Sequence, residues 1–162
     1  LGTKIEKMDS IVSRKALLND LPILEDFLQL LVEAERPFDE TIGAGKIIYY
    51  DIRELIMNDD AEVLVLEEEG RIIGCGYAQI KIAKPYLRHQ QYAHLGFMFV
   101  VPEYRGKGLN QRLIANLKSW ALSKGIGEVR LEVYSENTSA IKAYEKAGFK
   151  KLLTTMRYEI QE

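Results

Sequence analysis

One stretch in mid-chain narrows the choice of folds more than any other: Val100-Val101-Pro102-Glu103-Tyr104-Arg105-Gly106-Lys107-Gly108-Leu109-Asn110-Gln111-Arg112-Leu113. It opens at the end of the apolar run Leu95 to Val101 and closes in an amphipathic pattern, so strand, glycine-containing turn and helix follow one another directly. The two glycines free the backbone to curl, and successive N–H groups can then face one small space. The helix behind adds its unpaired N–H groups and the positive end of its dipole. Together these bind phosphate without any particular side chain. Arg105 and Lys107 bring positive charge to the same spot. Two familiar phosphate loops fail here. A Walker loop needs Lys-Ser/Thr after its last glycine, and Gly108 is followed by Leu109-Asn110; the dinucleotide fingerprint needs a glycine where Gln111 stands. An ordinary polar strand-to-helix turn has the same composition, so the loop alone leaves both readings open.

The totals limit what surrounds this loop. A chain of 162 residues is expected to form one domain, 1–162, with room for a proper core. Its 47% apolar and 28% charged residues describe an ordinary soluble globule. A net charge of −2 gives no reason to expect nucleic acid or an anionic membrane as partner. The single Cys75 excludes an internal disulfide and a Cys-rich metal site, so the cytoplasm is the default location. No apolar run approaches the ~20 residues of a membrane span. The first residue is Leu1, not Met, and Leu1 to Asp9 are set aside from fold reasoning.

Taken in order, Ser10 to Ala16 reads as a short strand, and Asn19 or Asp20 as the cap of a helix running to about Glu35. Arg36 to Gly45 is a loop, and a weaker helical pattern runs from about Lys46 to Met57. Ala61 to Glu67 and Arg71 to Lys84 read as a hairpin turning at Glu68-Glu69-Gly70, with Gly74 and Gly76 marking a bulge or close backbone approach. Gln91 to Val101 is the next strand, Gly106 to Lys124 a helix, and Glu128 to Tyr134 another strand. A helix from Asn137 to about Lys146 follows, and Phe149 to Ile160 supplies the closing strand or strands. This order fits an α/β domain with a mixed, mainly antiparallel central sheet flanked by helices.

The last helix carries a second constellation, Asn137-Thr-Ser-Ala140-Ile-Lys-Ala-Tyr144-Glu-Lys-Ala-Gly148-Phe149. Asn137 and Tyr144 are two helical turns apart and project from one face, with small Ala140 between them. Such a face is a rest for a slender polar chain. It is equally what an N-cap, a packing residue and a half-buried aromatic look like.

Together the two motifs resemble the GNAT family of N-acetyltransferases. Arg105-x-x-Gly108 after a hydrophobic strand is similar to the family's acyl-CoA pyrophosphate loop, Gln/Arg-x-x-Gly-x-Gly/Ala, with Asn110 standing where the pattern has a small residue. Asn137-x-x-Ala140-x-x-x-Tyr144-x-x-x-Gly148-Phe149 is similar to its second signature, one helix and one strand further on. The resemblance covers roughly residues 91–150 and implies the GNAT fold with acetyl-CoA as co-substrate. It implies that Met98, Phe99 and Val100 pair by main chain with the pantetheine arm. It also implies that Gly106, Lys107, Gly108, Leu109, Asn110 and Gln111 give N–H groups to the pyrophosphate while Arg105 shapes the turn. Asn137 would bond the pantetheine amide, and Tyr144 would lie near the thioester sulfur.

Acetyl transfer to an amine needs a base for the ammonium, a donor for the oxyanion and an acid for the leaving thiolate. A phenol suits a thiolate, so Tyr144 is the expected acid. A main-chain N–H near Met98 or Phe99 is the expected oxyanion donor, because the family's strand is distorted there. Glu132 matches the base of GNATs resembling the ribosomal-protein acetyltransferases, and His94 lies where histone-acetylating members carry a Glu. Each is also what a surface strand residue looks like. No nucleophile grouping supports a covalent route, and two histidines, His89 and His94, make a zinc site unexpected. The expected acceptor is a small-molecule or protein amine, walled by Arg36 to Gly45 (with Asp39 and Glu40) and by Pro85 to Gln90; a homodimer is compatible with this reading. Two rivals stand beside it: a catalytically inactive CoA-binding or regulatory module of the same fold, and a nucleotide-binding protein using the same loop.

Overall fold

The hairpin at the centre follows from its turn. In the computed structural model, which describes residues 10–161, Glu69 and Gly70 both take positive φ (50° and 80°), as a tight two-residue hairpin turn requires. That turn joins β2 (Ala61–Glu68) to β3 (Arg71–Ile82). On one side β1 (Ile11–Lys15) pairs antiparallel with β2; on the other, β4 (Gln91–Val100) pairs antiparallel with β3. A short β5 (Val129–Leu131) then runs parallel to β4, giving a mixed five-stranded sheet in the order β1-β2-β3-β4-β5. Residues 1–9, set aside above, lie outside the described residues.

Both faces of the sheet centre are covered. Val63, Val65, Leu66, Ile73 and Cys75 are at most 1% exposed although their side chains alternate between the two faces. The cover comes from α1 (Leu21–Glu35), through Leu24, Phe27, Leu28 and Val32; from the short α2 (Ile52–Met57); and from α3 (Leu109–Ser123), through Leu113 and Leu117. The fourth helix, α4 (Thr138–Lys146), has no buried residue although its apolar residues are gathered on one side.

Five local expectations change on inspection. Asp20 does not cap α1. Its carboxylate accepts from Arg14 Nη1 and Nη2 (2.8 and 3.0 Å) and from the Leu17 N–H (2.7 Å), tying β1 to the start of α1. Those bonds with the Arg14 guanidinium hold the Asp20 carboxyl below its ordinary value. The helix expected from Lys46 starts only at Ile52, because the Gln29 side chain takes both backbone groups of Ile47 (2.8 and 3.2 Å) that a helix would use internally. Asp51 caps the shortened helix, accepting from the Glu54 N–H at 2.9 Å. The helix expected from Gly106 starts at Leu109, since Gly106 and Gly108 are both left-handed. Finally, β5 stops at Leu131, and Phe149 to Ile160 forms no strand. Arg157 in that segment donates to Asp39 and Thr41 (both 3.0 Å), tying it to the loop after α1.

Candidate active site

The site is built on the second half of β4. Strand β5 pairs only with Ala93, His94 and Leu95, so Gly96 to Val100 presents its backbone on that side without a ladder partner. The same stretch is bulged: Cys75 faces Phe99 and Tyr77 faces Gly96, so Phe97 and Met98 together oppose Gly76. Met98 lies across Gly76 so closely that a Cβ there would come within 2.6 Å of its sulfur. Phe97, buried at 2% exposure, is held at φ 55°, an uncommon conformation for a bulky residue. A bulge of this kind takes amides of the bulged strand out of the regular ladder and re-aims them. Met98, Phe99 and Val100 therefore sit on an open, irregular strand edge.

That edge runs straight into the glycine turn. After the 3-10 turn Pro102–Tyr104, Gly106 (φ 72°) and Gly108 (φ 78°) reverse the backbone, and Gly108 is the residue before the first turn of α3. A Cβ on either would meet nothing within 4 Å, so what these glycines supply is conformation, with open space in front of the turn. Arg105 bonds back to the Val100 carbonyl through Nε (2.9 Å) and lies over the Phe99 ring, while Lys107 lies over Tyr104 at 4.8 Å. Leu109 is buried against the core, and Asn110, inside α3, needs no left-handed backbone; a side chain is accommodated where the family pattern has Gly or Ala. Gln111 spends its side-chain amide on the Ala143 carbonyl of α4 (2.9 Å).

Through that bond helix α4 is tied to the start of α3. Asn137 caps it, its Oδ1 accepting from the Ala140 N–H at 3.2 Å, which leaves Nδ2 as a donor. Tyr144 is half-buried, with its ring edge-on to Phe149 at 5.9 Å. Burial pushes its phenol above the ordinary value, and the Glu35 carboxylate adds to the effect.

The two base candidates share one neighbourhood. His94 is paired with Arg130 across the β4–β5 ladder and sits 6.2 Å from the Tyr77 ring. Burial lowers its pKa below the usual 6.5; Glu132 opposes this and Lys81 adds to it. Glu132, on an exposed segment just past β5, is close enough to act electrostatically on both His94 and Tyr77. Burial, helped by Glu132, pushes the Tyr77 phenol up to about 12.

Sequence reasoning missed an aromatic group around Tyr50. Tyr50 packs against Tyr77 (5.2 Å), Phe97 (5.8 Å) and Tyr49 (5.8 Å), and Phe38 stacks on Tyr134 at 6.0 Å. The buried Tyr49 hydroxyl makes no well-formed hydrogen bond and lies near the Glu35 carboxyl and Tyr134. Burial raises the Glu35 pKa, and among the described residues Glu35 has no ion-pair partner. The acidic wall expected from the loop is different in kind: Asp39 is engaged by Thr41 and Arg157, which hold its carboxyl down to about 2. Arg36 knits the loop together through the carbonyls of Gly43 and Gly45. The 85–90 loop packs instead at the far end of β4, with His89 Nε2 3.1 Å from Glu128. The only signal for the aromatic group was Tyr49-Tyr50, hidden inside the expected second helix.

Comparison with known proteins agrees with this architecture. The model of the acetyltransferase (GNAT) family matches residues 24–149. An uncharacterized N-acetyltransferase of Methanocaldococcus jannaschii is 30% identical over 130 residues, 78% of this chain; the chain spans 56% of that relative's length. The aminoglycoside N(6')-acetyltransferase type 1 of Salmonella typhimurium is 26% identical over 102 residues, 61% of this chain and 69% of its own. Among solved structures, a mutant of the BH1408 protein from Bacillus halodurans superposes with a TM-score of 0.83 at 17% identity, over 93% of this chain and 99% of that one. An aminoglycoside N-acetyltransferase solved with CoA superposes at 0.71 and 20% identity, over 93% and 99%. At such identities the superpositions speak to the fold. The chain belongs to the acetyltransferase (GNAT) family. Both of the relatives described carry N-acetyltransferase names, and no helix among the described residues is long and apolar enough to cross a membrane.

Proposed function

We propose that the chain moves an acetyl group from acetyl-CoA to a primary amine by direct attack in a ternary complex, with a small cationic amine as acceptor. The observation that carries this reading is the open, bulged edge Gly96–Val100 leading directly into the left-handed turn Gly106–Gly108. Main-chain groups for an extended amide-bearing arm and N–H groups for its diphosphate are then contiguous. The residues present fit such a donor: the space before both glycines is open, and Asn137 Nδ2 is available to an amide carbonyl. Gly106 to Gln111 would hold the diphosphate through backbone N–H groups. Arg105, bonded to Val100, would keep the turn in shape.

Bound acetyl-CoA supplies the activated carbonyl and the thiolate leaving group. The chain's own residues supply the rest. An N–H released by the Phe97–Met98 bulge donates to the oxyanion, and the Tyr144 phenol, kept protonated by burial, donates to the departing sulfur. The ammonium proton goes to the Glu132–His94 pair. Cys75 is no acyl carrier: it is fully buried, burial raises its pKa, and its thiol donates to the Phe97 carbonyl at 3.5 Å. The Glu35 carboxyl, near Tyr49, Tyr134 and Tyr144 and without an ion-pair partner among the described residues, favours a cationic acceptor, and the aminoglycoside names among the relatives point to the same class.

Calorimetry with acetyl-CoA, followed by thiol release against a panel of amines, tests the reading. Saturable binding with thiol release for cationic amines is expected. Binding without release for any amine would leave the inactive CoA-binding module, and competition by ATP would favour a nucleotide site. The base is tested by pH. His94 is neutral through pH 7 because its pKa lies below 6.5, so a His94-dependent rate falls only as the pH drops through that lowered value. The acidic limb of the pH–rate profile should vanish in His94→Gln or in Glu132→Gln, and the variant that loses it names the base. A limb kept by both variants removes the pair from the mechanism.

A further inference from the structure

Two carboxylates stand at opposite ends of one row of rings. Tyr49, Tyr50, Tyr77 and His94 follow one another with centroids 5.8, 5.2 and 6.2 Å apart. Tyr77 is buried and Tyr50 half-buried, so the row is a wall of the site and not a loose surface patch. At one end Glu132 acts on Tyr77 and His94. At the other end Glu35 lies beside Tyr49, and its charge is also felt by Tyr50, Tyr134 and Tyr144. Glu132 belongs to the proposed proton transfer. Glu35 takes no part in it.

The surroundings of Glu35 call for a cation. It is the last residue of α1, whose last turn holds no basic side chain, so the negative end of the helix dipole adds to the carboxylate. The arginines of this neighbourhood are committed. Arg36 donates to Glu33 and to the carbonyls of Gly43 and Gly45, and Arg157 donates to Asp39 and Thr41. The Tyr49 hydroxyl beside Glu35 is buried without a well-formed hydrogen bond. A carboxylate held partly out of water with no counter-charge is costly, and an ammonium brought by a ligand removes that cost. Ring walls suit both the charge of such a ligand and its methylene flanks. Asp39, the other acid of this region, is already satisfied by Thr41 and Arg157.

We propose, on the acetyl-transfer reading above, that Glu35 determines acceptor specificity by holding a second ammonium, so that the preferred acceptor is a diamine. One nitrogen stays charged against Glu35 while the other reaches Glu132 and His94. Only the second reacts: its C–N bond to the acetyl group forms as the C–S bond breaks. Of the two protons that this nitrogen gives up, one goes to the Glu132–His94 pair. The other balances the proton that Tyr144 gives to the sulfur. Because the two carboxylates are held apart by the row of rings, the site reads the spacing between the nitrogens as well as their charge.

Thiol release by the full chain with saturating acetyl-CoA tests this, using pentylamine, an ω-amino acid of similar length and a series of α,ω-diamines as acceptors. The best diamine should exceed both single-amine probes in kcat/KM by at least about 10-fold, mainly through KM. Glu35→Gln should bring the ratio of diamine to pentylamine down to about one, whatever happens to the absolute rates. Glu35→Asp keeps the charge on a shorter arm. It should keep the preference and move the optimum to a longer diamine, a shift that a merely structural role would not give. Equal kcat/KM for pentylamine and every diamine in the unaltered chain would overturn the assignment. So would an unchanged ratio in Glu35→Gln, or an unchanged optimum in Glu35→Asp. Release with none of the amines would overturn the acetyl-transfer reading itself and this assignment with it.

Discussion

Tyr144→Phe is expected to lower kcat by at least about 100-fold while leaving acetyl-CoA affinity within about twofold, the lower end of what a positioned general acid contributes. The substitution keeps the ring and its edge-on contact with Phe149, so packing on α4 is retained. It removes only the phenol hydroxyl. Burial and Glu35 both raise the Tyr144 pKa, so the proton stays on the phenol through neutral pH until the sulfur develops charge. Single-turnover acetyl transfer measured beside calorimetric affinity separates the two effects. Unchanged chemistry would take Tyr144 out of the reaction, and lost affinity would make it a binding residue only.

Gly108→Val should act at the other end of the donor. At φ 78° a β-branched residue is strained by roughly 1–3 kcal/mol, and open space around the position offers no steric reason for further damage. The chain should remain folded, since its core lies elsewhere. The turn should relax, and the N–H groups at the start of α3 should lose their common aim. Acetyl-CoA affinity is expected to fall about 10- to 100-fold, with a much smaller change in the KM for the amine. Equal affinity in the variant would mean that the turn holds no diphosphate.

Most of the frame was legible because its signals are local. The Glu68-Glu69-Gly70 turn marked the hairpin of β2 and β3, the apolar run to Val101 marked β4, and the two glycines marked the turn before α3, although not where the helix starts. Glycines at 74 and 76 pointed to the irregularity opposite Phe97 and Met98. What escaped depends on contacts distant in sequence. Gln29 stops a helix that the pattern around Lys46 would otherwise start, and Arg14 diverts Asp20 from capping. The aromatic group around Tyr50 is drawn from the segment before α2, from β3 and from β4, so no spacing in the chain reveals it. The closing strand expected over Phe149 to Ile160 does not form, because apolar periodicity marks a strand only where an edge pairs with it.

The bond from Gln111 to the Ala143 carbonyl has a consequence for substrate length. One end of it stands beside the turn proposed to hold the diphosphate, and the other is next to Tyr144. If both proposed roles hold, it fixes the span between them like a gauge, and a thioester carried on an arm shorter or longer than pantetheine should be a poorer donor.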